Sequence, residues 1–299
     1  MQKTFNGWLN IYKEQGETSF SISKELKKKF KFKKVGHLGT LDPLAKGVLP
    51  IAVGEATKSI KFISNLKKRY SFLIKWGEET DTCDLEGKVV AQSSVRPDIE
   101  KVKMIINKFF TGSIEQVPPI YSAVKVNGVR AYKLARSKKD IELKKKKIHI
   151  YKILVKNQTD KDFCKFDIIC SRGTYIRSLA RDLARKLGTV GLAYEIVRTE
   201  DNIFKIENAV PLLKVLNLSY EELQKIYFPV EAVLSDAKEV ILEKKYSDKL
   251  KNGIIIKSNL ISNKIKSDSK LILVKNNSKL VCIANLEKEY IIPRRNFNL

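Results

Sequence analysis

The sequence predicts a large α+β body followed by a small all-β module, and three patterns carry that prediction. Apolar residues alternate through Arg69 to Trp76, which marks a strand with Tyr70, Phe72, Ile74 and Trp76 on one face. They recur at spacings of three and four in Ile22, Leu26 and Phe30, in Ile99, Val102, Ile106 and Phe109, and in Ile176, Leu179, Leu183 and Leu187, which marks helices with one apolar stripe each. From Glu239 to Leu299 the pattern changes to short apolar runs, Val240 to Leu242, Gly253 to Lys257, Leu271 to Val274, Leu280 to Ala284 and Tyr290 to Ile292, separated by Asn, Ser and Lys turns.

Taken in order, Gly7 to Lys13 reads as a strand and Glu14 to Ser19 as the turn into the first helix. Ala56 to Leu66 reads as a short helix and Gly77 to Gly87 as a polar loop. Pro97 and Asp98 open the next helix, with Phe109 inward and Gly112 at its end. Ile148 to Val155 and Phe163 to Ser171 are further strands, the second running into Arg172 and a helix that Gly188 ends. Val210 to Ile226 is helical in pattern, and Phe228 to Asp236 reads as a linker between a body over 1–230 and a module over 237–299.

Composition narrows the function classes. The 299 residues suffice for a buried core, with 43% apolar residues. Lys and Arg number 58 against 33 Asp and Glu, a formal charge of +25, which fits either a polyanionic partner or a lysine-rich proteome. No apolar run approaches the roughly 20 residues of a membrane span, and Gln2-Lys3-Thr4-Phe5 is no secretory segment, so a cytoplasmic protein without membrane contact is expected. Cys83, Cys164, Cys170 and Cys282 form no Cys-x-x-Cys pair, which supports neither a disulfide framework nor a metal site.

Few residues stand out as chemistry-bearing. Glycines and prolines in Gly36 to Pro50 force a shaped loop that presents Asp42 directly before Pro43. Its spacing alone fits a turn aspartate as well as a functional acid. Tyr70 fits a core aromatic, and Arg177, Arg181 and Arg185, four apart, fit a solvated basic stripe. Arg177, however, sits in a first helical turn where the dipole disfavours a cation, so an anionic partner is expected. Lys138, Lys139 and Lys144 to Lys147 form a basic, proline-anchored stretch suited to a solvated surface or to RNA.

The run GHLGTLDPLAKGVLPIAVGEATK resembles the signature loop of the TruB family, the bacterial tRNA pseudouridine-55 synthases, with Leu38 where threonine is usual. Lys13, Gly16 and Ser19 are similar to the family's Lys-x-x-Gly-x-x-Ser, with Glu14 in place of the usual proline, and Lys68-Arg69-Tyr70 is similar to its Lys-x-Tyr. Gln116 to Gly128 resembles the start of an inserted RNA-gripping flap, here about 113–147. Gly173-Thr174-Tyr175-Ile176-Arg177 and Ile196-Val197-Arg198-Thr199 resemble two further motifs, Ile196 standing for leucine and Val197 for a common arginine. Leu250, Gly253 and Pro293 to Phe297 resemble markers of a PUA-like RNA-binding module.

The resemblance implies a pseudouridine-synthase fold: a central mixed, largely antiparallel sheet flanked by helices, a basic flap and a C-terminal all-β PUA-like domain. It implies Asp42 as nucleophile, Arg177 holding it ionised, Tyr70 stacked on the target base, Tyr175 against the substrate, and His37 filling the place of a flipped-out uridine. Ile196 would wall the pocket, and Lys13 and Lys58 would add substrate contacts. The implied reaction is an isomerisation of uridine needing no cofactor or metal, on the T-arm of tRNA, by a monomer without an obligate protein partner. Two other roles stay open: an RNA-binding or tRNA-folding factor, and the catalytic subunit of a guide-RNA particle.

Overall fold

The structure, a computed structural model, describes residues 5–63, 67–137, 141–158, 160–260 and 271–299. β1 (Gly7–Lys13) is buried along nearly its whole length, and Thr18 caps α1 (Ser19–Lys29) by accepting from the Ser21 amide at 2.9 Å. Lys27 to Lys29 fill the last turn of α1, where the helix dipole favours cations. β2 (Val35–His37) and β3 (Lys46–Val53) bracket the Asp42 loop and pair antiparallel. In place of the expected helix over 56–66 come two 3-10 turns, Gly54–Lys58 and Ile60–Phe62, with 64–66 outside the described residues. Ser59 breaks the run by turning its hydroxyl back onto the Ala56 carbonyl at 2.8 Å.

β4 (Lys67–Trp76) is followed by β5 (Glu78–Thr80), β6 (Val89–Gln92) and α2 (Ile99–Phe109), which Asp98 caps. Val102 and Ile106 of α2 are buried, but Phe109 is 38% exposed, contrary to the inward placement its spacing suggests. The helix closes one residue later on Phe110, which takes the inward place, while Phe109 lies under the ammonium groups of Lys108 and Lys186. The inserted segment contains β7 (Gly112–Gln116), β8 (Lys125–Val126), β9 (Val129–Arg130) and α3 (Ala131–Arg136). Lys138 and Lys139 lie outside the described residues. β10 (Lys146–Gln158) draws Lys146 and Lys147 out of the expected loop and pairs them with Gln116 and Glu115.

β11 (Phe163–Ser171), α4 (Ile176–Lys186) and β12 (Gly191–Asp201) complete the centre of the body. The single helical stretch expected over 210–226 is broken: after β13 (Phe204–Lys205), Val210 and Pro211 form β14 (Val210–Pro211), ahead of α5 (Leu212–Leu216). Ser219 and Glu222 then form a capping box that starts a separate α6 (Tyr220–Leu223). The expected linker is anchored, with β15 (Tyr227–Phe228) paired to β1 and with Val230 and Val233 buried. The C-terminal module has β16 (Lys238–Ile241), α7 (Lys244–Lys251), β17 (Ile256–Lys257), β18 (Leu271–Asn276), β19 (Lys279–Glu287) and β20 (Tyr290–Asn296). It is therefore not purely β, since α7 buries Ser247 and Leu250, three apart, against the sheet.

Among the described residues the main sheet has 11 strands in the order β14-β1-β3-β12-β4-β11-β10-β7, with β2, β13 and β15 paired at its side. Two of its pairings, β1 with β14 and β3 with β12, are parallel and the rest antiparallel. α2 and α4 cover one face of β4, β11 and β10 through a core that includes Tyr70, Phe72, Phe166 and Leu179. The five-stranded C-terminal sheet, ordered β16-β18-β19-β20-β17, joins the body through a cluster that holds Trp8, Val48, Phe204, Val230, Ile283 and Phe297. Lys58 closes the same seam, donating to the Asn296 carbonyl at 3.1 Å, and the Asn298 amide donates to Glu55 at 2.7 Å.

Phe297→Ala empties a fully buried position in this seam and should lower the free energy of unfolding by about 3–5 kcal/mol, measured by urea titration. A loss below about 1 kcal/mol would mean that the seam does not bind the module to the body.

Candidate active site

The loop carrying Asp42 is built from backbone geometry inward. Lys13, fully buried at the end of β1, donates its three ammonium protons to the carbonyls of Glu14, Pro43 and Ala45 at 2.9, 3.1 and 2.6 Å. The Gly16 amide donates to the Pro43 carbonyl at 2.9 Å. Ser19, in the first turn of α1, takes both backbone groups of Leu41, accepting from its amide at 2.9 Å and donating to its carbonyl at 3.1 Å. Thus Lys13, Gly16 and Ser19, the three residues of the N-terminal motif, all grip the backbone on either side of Asp42. Lys13 has no proton left for a substrate, which corrects its expected role as a substrate contact. Burial pulls its pKa down to about 8, against the nearby carboxylates of Glu17 and Asp42.

Arg177 supplies the side-chain partner. Its Nε donates to Asp42 Oδ2 at 2.8 Å, Nη1 to the Thr82 carbonyl at 3.1 Å and Nη2 to the Tyr121 carbonyl at 3.1 Å. Nη1 also lies 3.3 Å from Oδ2 of Asp84, a buried carboxylate held by the Thr82 hydroxyl. Burial opposes the guanidinium charge, but Asp42 and Asp84 outweigh it and raise the pKa. The Arg177 side chain is 5% exposed, whereas Asp42 is 39% exposed, so the acid is fixed from behind and open in front. The expected anionic partner of Arg177 is therefore two carboxylates. Its neighbours differ: Arg181 is largely buried and binds Asp182 and the Val117 carbonyl, whereas Arg185 pairs with the buried Glu79 but keeps 58% of its side chain exposed, as a solvated stripe implies.

Tyr70 is buried in one cluster with Leu41, Ala45, Ile176 and Ile196, so it is both a core aromatic and a wall beside the acid loop. Beneath it lies a charged group that the sequence reading passed over. Lys68 and Arg198 approach the same oxygen of Asp201 at 3.2 and 3.3 Å, and Arg198 donates to the carbonyls of Val48 at 2.7 Å and Gly39 at 3.1 Å. Burial raises the Tyr70 pKa, opposed by the guanidinium of Arg198. Gly39 is required here, because at φ 67° a Cβ would lie 2.2 Å from the Lys68 ammonium. His37 is part-buried, with Nδ1 3.4 Å from the Ser23 hydroxyl and Nε2 3.2 Å from that of Thr40. Burial, then Arg198 and Lys68, lower its pKa, so the ring is neutral at pH 7.

Tyr175 caps α4, and its main chain is fixed by the buried amide of Gln116, which accepts from the Tyr175 amide at 2.8 Å and donates to its carbonyl at 3.1 Å. Burial raises the Tyr175 pKa, opposed by a bond with Ser122. Lys58 is not brought to this group: it pairs with Glu55 and the C-terminal seam, which corrects its expected role as a substrate contact. The structural roles of Asp84 and Gln116 went unread because Arg177 and Tyr175, the groups they hold, are distant in sequence. For Arg198 and Asp201 the available signal was two opposite charges three residues apart at the end of one strand.

The fold is that of the pseudouridine synthases. Over 97% of this chain and 84% of the other, the structure matches a chain of a Cbf5-Nop10-Gar1 complex with a TM-score of 0.73 at 23% identity. An H/ACA RNP bound to a substrate RNA containing 2'-deoxyuridine also gives 0.73, at 21% identity over 98% and 85% of the two chains. Residues 27–176 match the TruB family pseudouridylate synthase (N terminal domain). The tRNA pseudouridine synthase B of Clostridium tetani is 40% identical over 266 residues, 89% of this chain and 91% of its own. That of Ehrlichia chaffeensis is 38% identical over 300 residues, 98% and 99% of the two chains. The chain belongs to the TruB family.

Because Lys13 loses its proton as pH rises through about 8, above that value two N–H groups face three carbonyls and the loop loosens. The single-turnover rate should fall with an apparent pKa near 8, whereas Lys13→Met should be slower at pH 7 by about tenfold or more and lack this alkaline limb. A wild-type rate that holds flat from pH 7 to pH 9 contradicts this role.

Proposed function

We propose that the protein isomerises uridine-55 in the T loop of tRNA to pseudouridine, with Asp42 as the catalytic carboxylate. The observation that carries this reading is the pairing of a half-open Asp42 with a buried Arg177 beside Tyr70. In the reaction the bond from C1' of the ribose to N1 of uracil breaks, the base turns, and C5 bonds to C1'. The proton on C5 leaves and N1 gains one, so atoms balance without an external reagent. A carboxylate kept ionised beside a guanidinium can act as nucleophile or stabilise positive charge at the sugar.

A uridine inside a stacked loop must first leave the stack. His37 fills the vacancy, its neutral ring being suited to stacking, while Tyr70 stacks on the extruded base and Ile196 closes the apolar wall. Tyr175 meets the substrate from the cap position that precedes α4. The flap over 113–147 and the C-terminal module grip the RNA backbone, in keeping with the +25 charge. We take the catalytic domain as 1–230 and the PUA-like domain as 237–299, and the protein as a cytoplasmic monomer without an obligate protein partner. The tRNA enzymes at about 40% identity, against 23% or less for the guide-RNA assemblies, favour this over a guide-RNA subunit.

Asp42→Asn keeps shape and loses charge, so it should bind unmodified tRNA within about tenfold of wild type yet form no pseudouridine, read by mass spectrometry of the T loop. Pseudouridine formed at the wild-type rate by that variant would overturn the assignment.

A further inference from the structure

On the outer side of the same sheet, a group of residues outside the catalytic pocket is built as an exposed stacking surface. Register between β10 and β11 runs Ile150 to Cys170 and then Lys152 to Ile169, so Tyr151 is the extra residue of a β-bulge. Such bulges redirect a side chain out of the regular alternation. Here both Tyr151 and Lys152 are exposed between the buried Ile150 and Ile153, and Tyr151 is 45% exposed. Its ring lies against the His149 imidazole, with centroids 4.6 Å apart, and the Lys67 ammonium sits 4.7 Å from its centroid. His149 is itself fixed, with Nδ1 3.1 Å from the Ser113 hydroxyl and its amide donating to the Ser171 hydroxyl at 2.9 Å.

The charges around this pair are mainly positive. Lys67, Lys147, Lys152 and Arg172 are exposed, and the nearby acid Glu115 faces Lys147 in register and lies 3.7 Å from the Lys145 ammonium. The pair also lies at the same end of the sheet as the pocket. Lys67 starts the strand that carries Tyr70, and Ser171 ends the strand that leads through Arg172 to Tyr175. Nothing in the catalytic arrangement uses Tyr151 or His149.

We propose that Tyr151 and His149 form a second RNA contact, a platform on which an unpaired base of the substrate RNA stacks outside the catalytic pocket while Lys67 takes the adjoining phosphate. An exposed tyrosine face bordered by flexible cations is the arrangement that holds single-stranded nucleic acid, since every base presents a π-face and the backbone supplies the charge. Lys67 now covers the ring; an incoming base displaces it, and its ammonium then turns to the backbone. The proposal rests on the reading of the protein as an RNA isomerase and extends it to the path of the RNA beyond the target uridine.

The test is equilibrium binding of an unmodified tRNA transcript to the full chain, measured over a range of salt concentrations. Tyr151→Ala should weaken binding by about 5- to 100-fold with little change in salt dependence, while Tyr151→Phe, which keeps the face, stays within about twofold of wild type. Lys67→Gln should reduce the salt slope by about one unit. Tyr194→Ala is the control, an exposed tyrosine packed edge-on against Phe163 at the far end of the sheet, and should bind like wild type. Ultraviolet crosslinking of the wild-type complex, which needs no variant to fold, should join RNA to the peptide containing His149 and Tyr151. Binding by a folded Tyr151→Ala within twofold of wild type, or crosslinks confined to other peptides, would overturn the platform and leave the catalytic reading intact. Failure of the wild-type protein to bind tRNA at all would overturn both.

Discussion

The arrangement depends on one buried guanidinium. Arg177 joins four acceptors from separate segments: Asp42 of the signature loop, the Thr82 carbonyl and Asp84 of the polar loop, and the Tyr121 carbonyl at the base of the flap. Such a group tolerates burial because its partners meet its charge and donors together. The contact with Asp42 is a single Nε bond, not the two-bond fork that arginine often makes with a carboxylate. The remaining donors fix the guanidinium itself, and that fixes the direction from which it meets the acid. α4 holds the flap by further bonds, Ser178 and Arg181 both donating to the Val117 carbonyl. Acid and inserted segment therefore hang from one helix.

Two other buried cations shape the loop from opposite sides. Lys13 gathers carbonyls after Asp42, and Arg198 gathers carbonyls before and after the turn, at Gly39 and Val48. A loop rich in glycine and proline forms few backbone bonds of its own, and these side chains supply the missing partners. Burying three cations is costly, and each is met by carbonyls or carboxylates. The result is a carboxylate held rigidly behind and exposed in front, which is the condition for a reacting group to keep its aim.

Much of this was legible in the sequence, and the rest was not for identifiable reasons. The alternation that buries Tyr70 and the stripe of α4 follow from periodicity, and the helix-dipole argument anticipated an anion beside Arg177. Lys13 was misread because a lysine's ordinary place is in solvent, and two of its three carbonyl acceptors lie 30 and 32 residues away in sequence. Lys58 was misread for the same reason, since besides the nearby Glu55 its acceptor is the Asn296 carbonyl, 238 residues away. Asp84 was hidden among several acids in one loop, and the pairing of the exposed Arg185 with the buried Glu79 forms only through the fold. The helix α7 escaped because its apolar positions are few and its surface is rich in lysine.

Single-turnover measurement of Arg177→Lys, with enzyme saturating over tRNA, tests the central claim most directly. Lysine keeps the charge and can reach Asp42, but one ammonium cannot also serve Asp84 and the carbonyls of Thr82 and Tyr121 from fixed directions. The account predicts tRNA affinity near wild type and a chemical step slower by on the order of a hundredfold. A rate within a fewfold of wild type would contradict it and would leave the aim of Asp42 to its own loop.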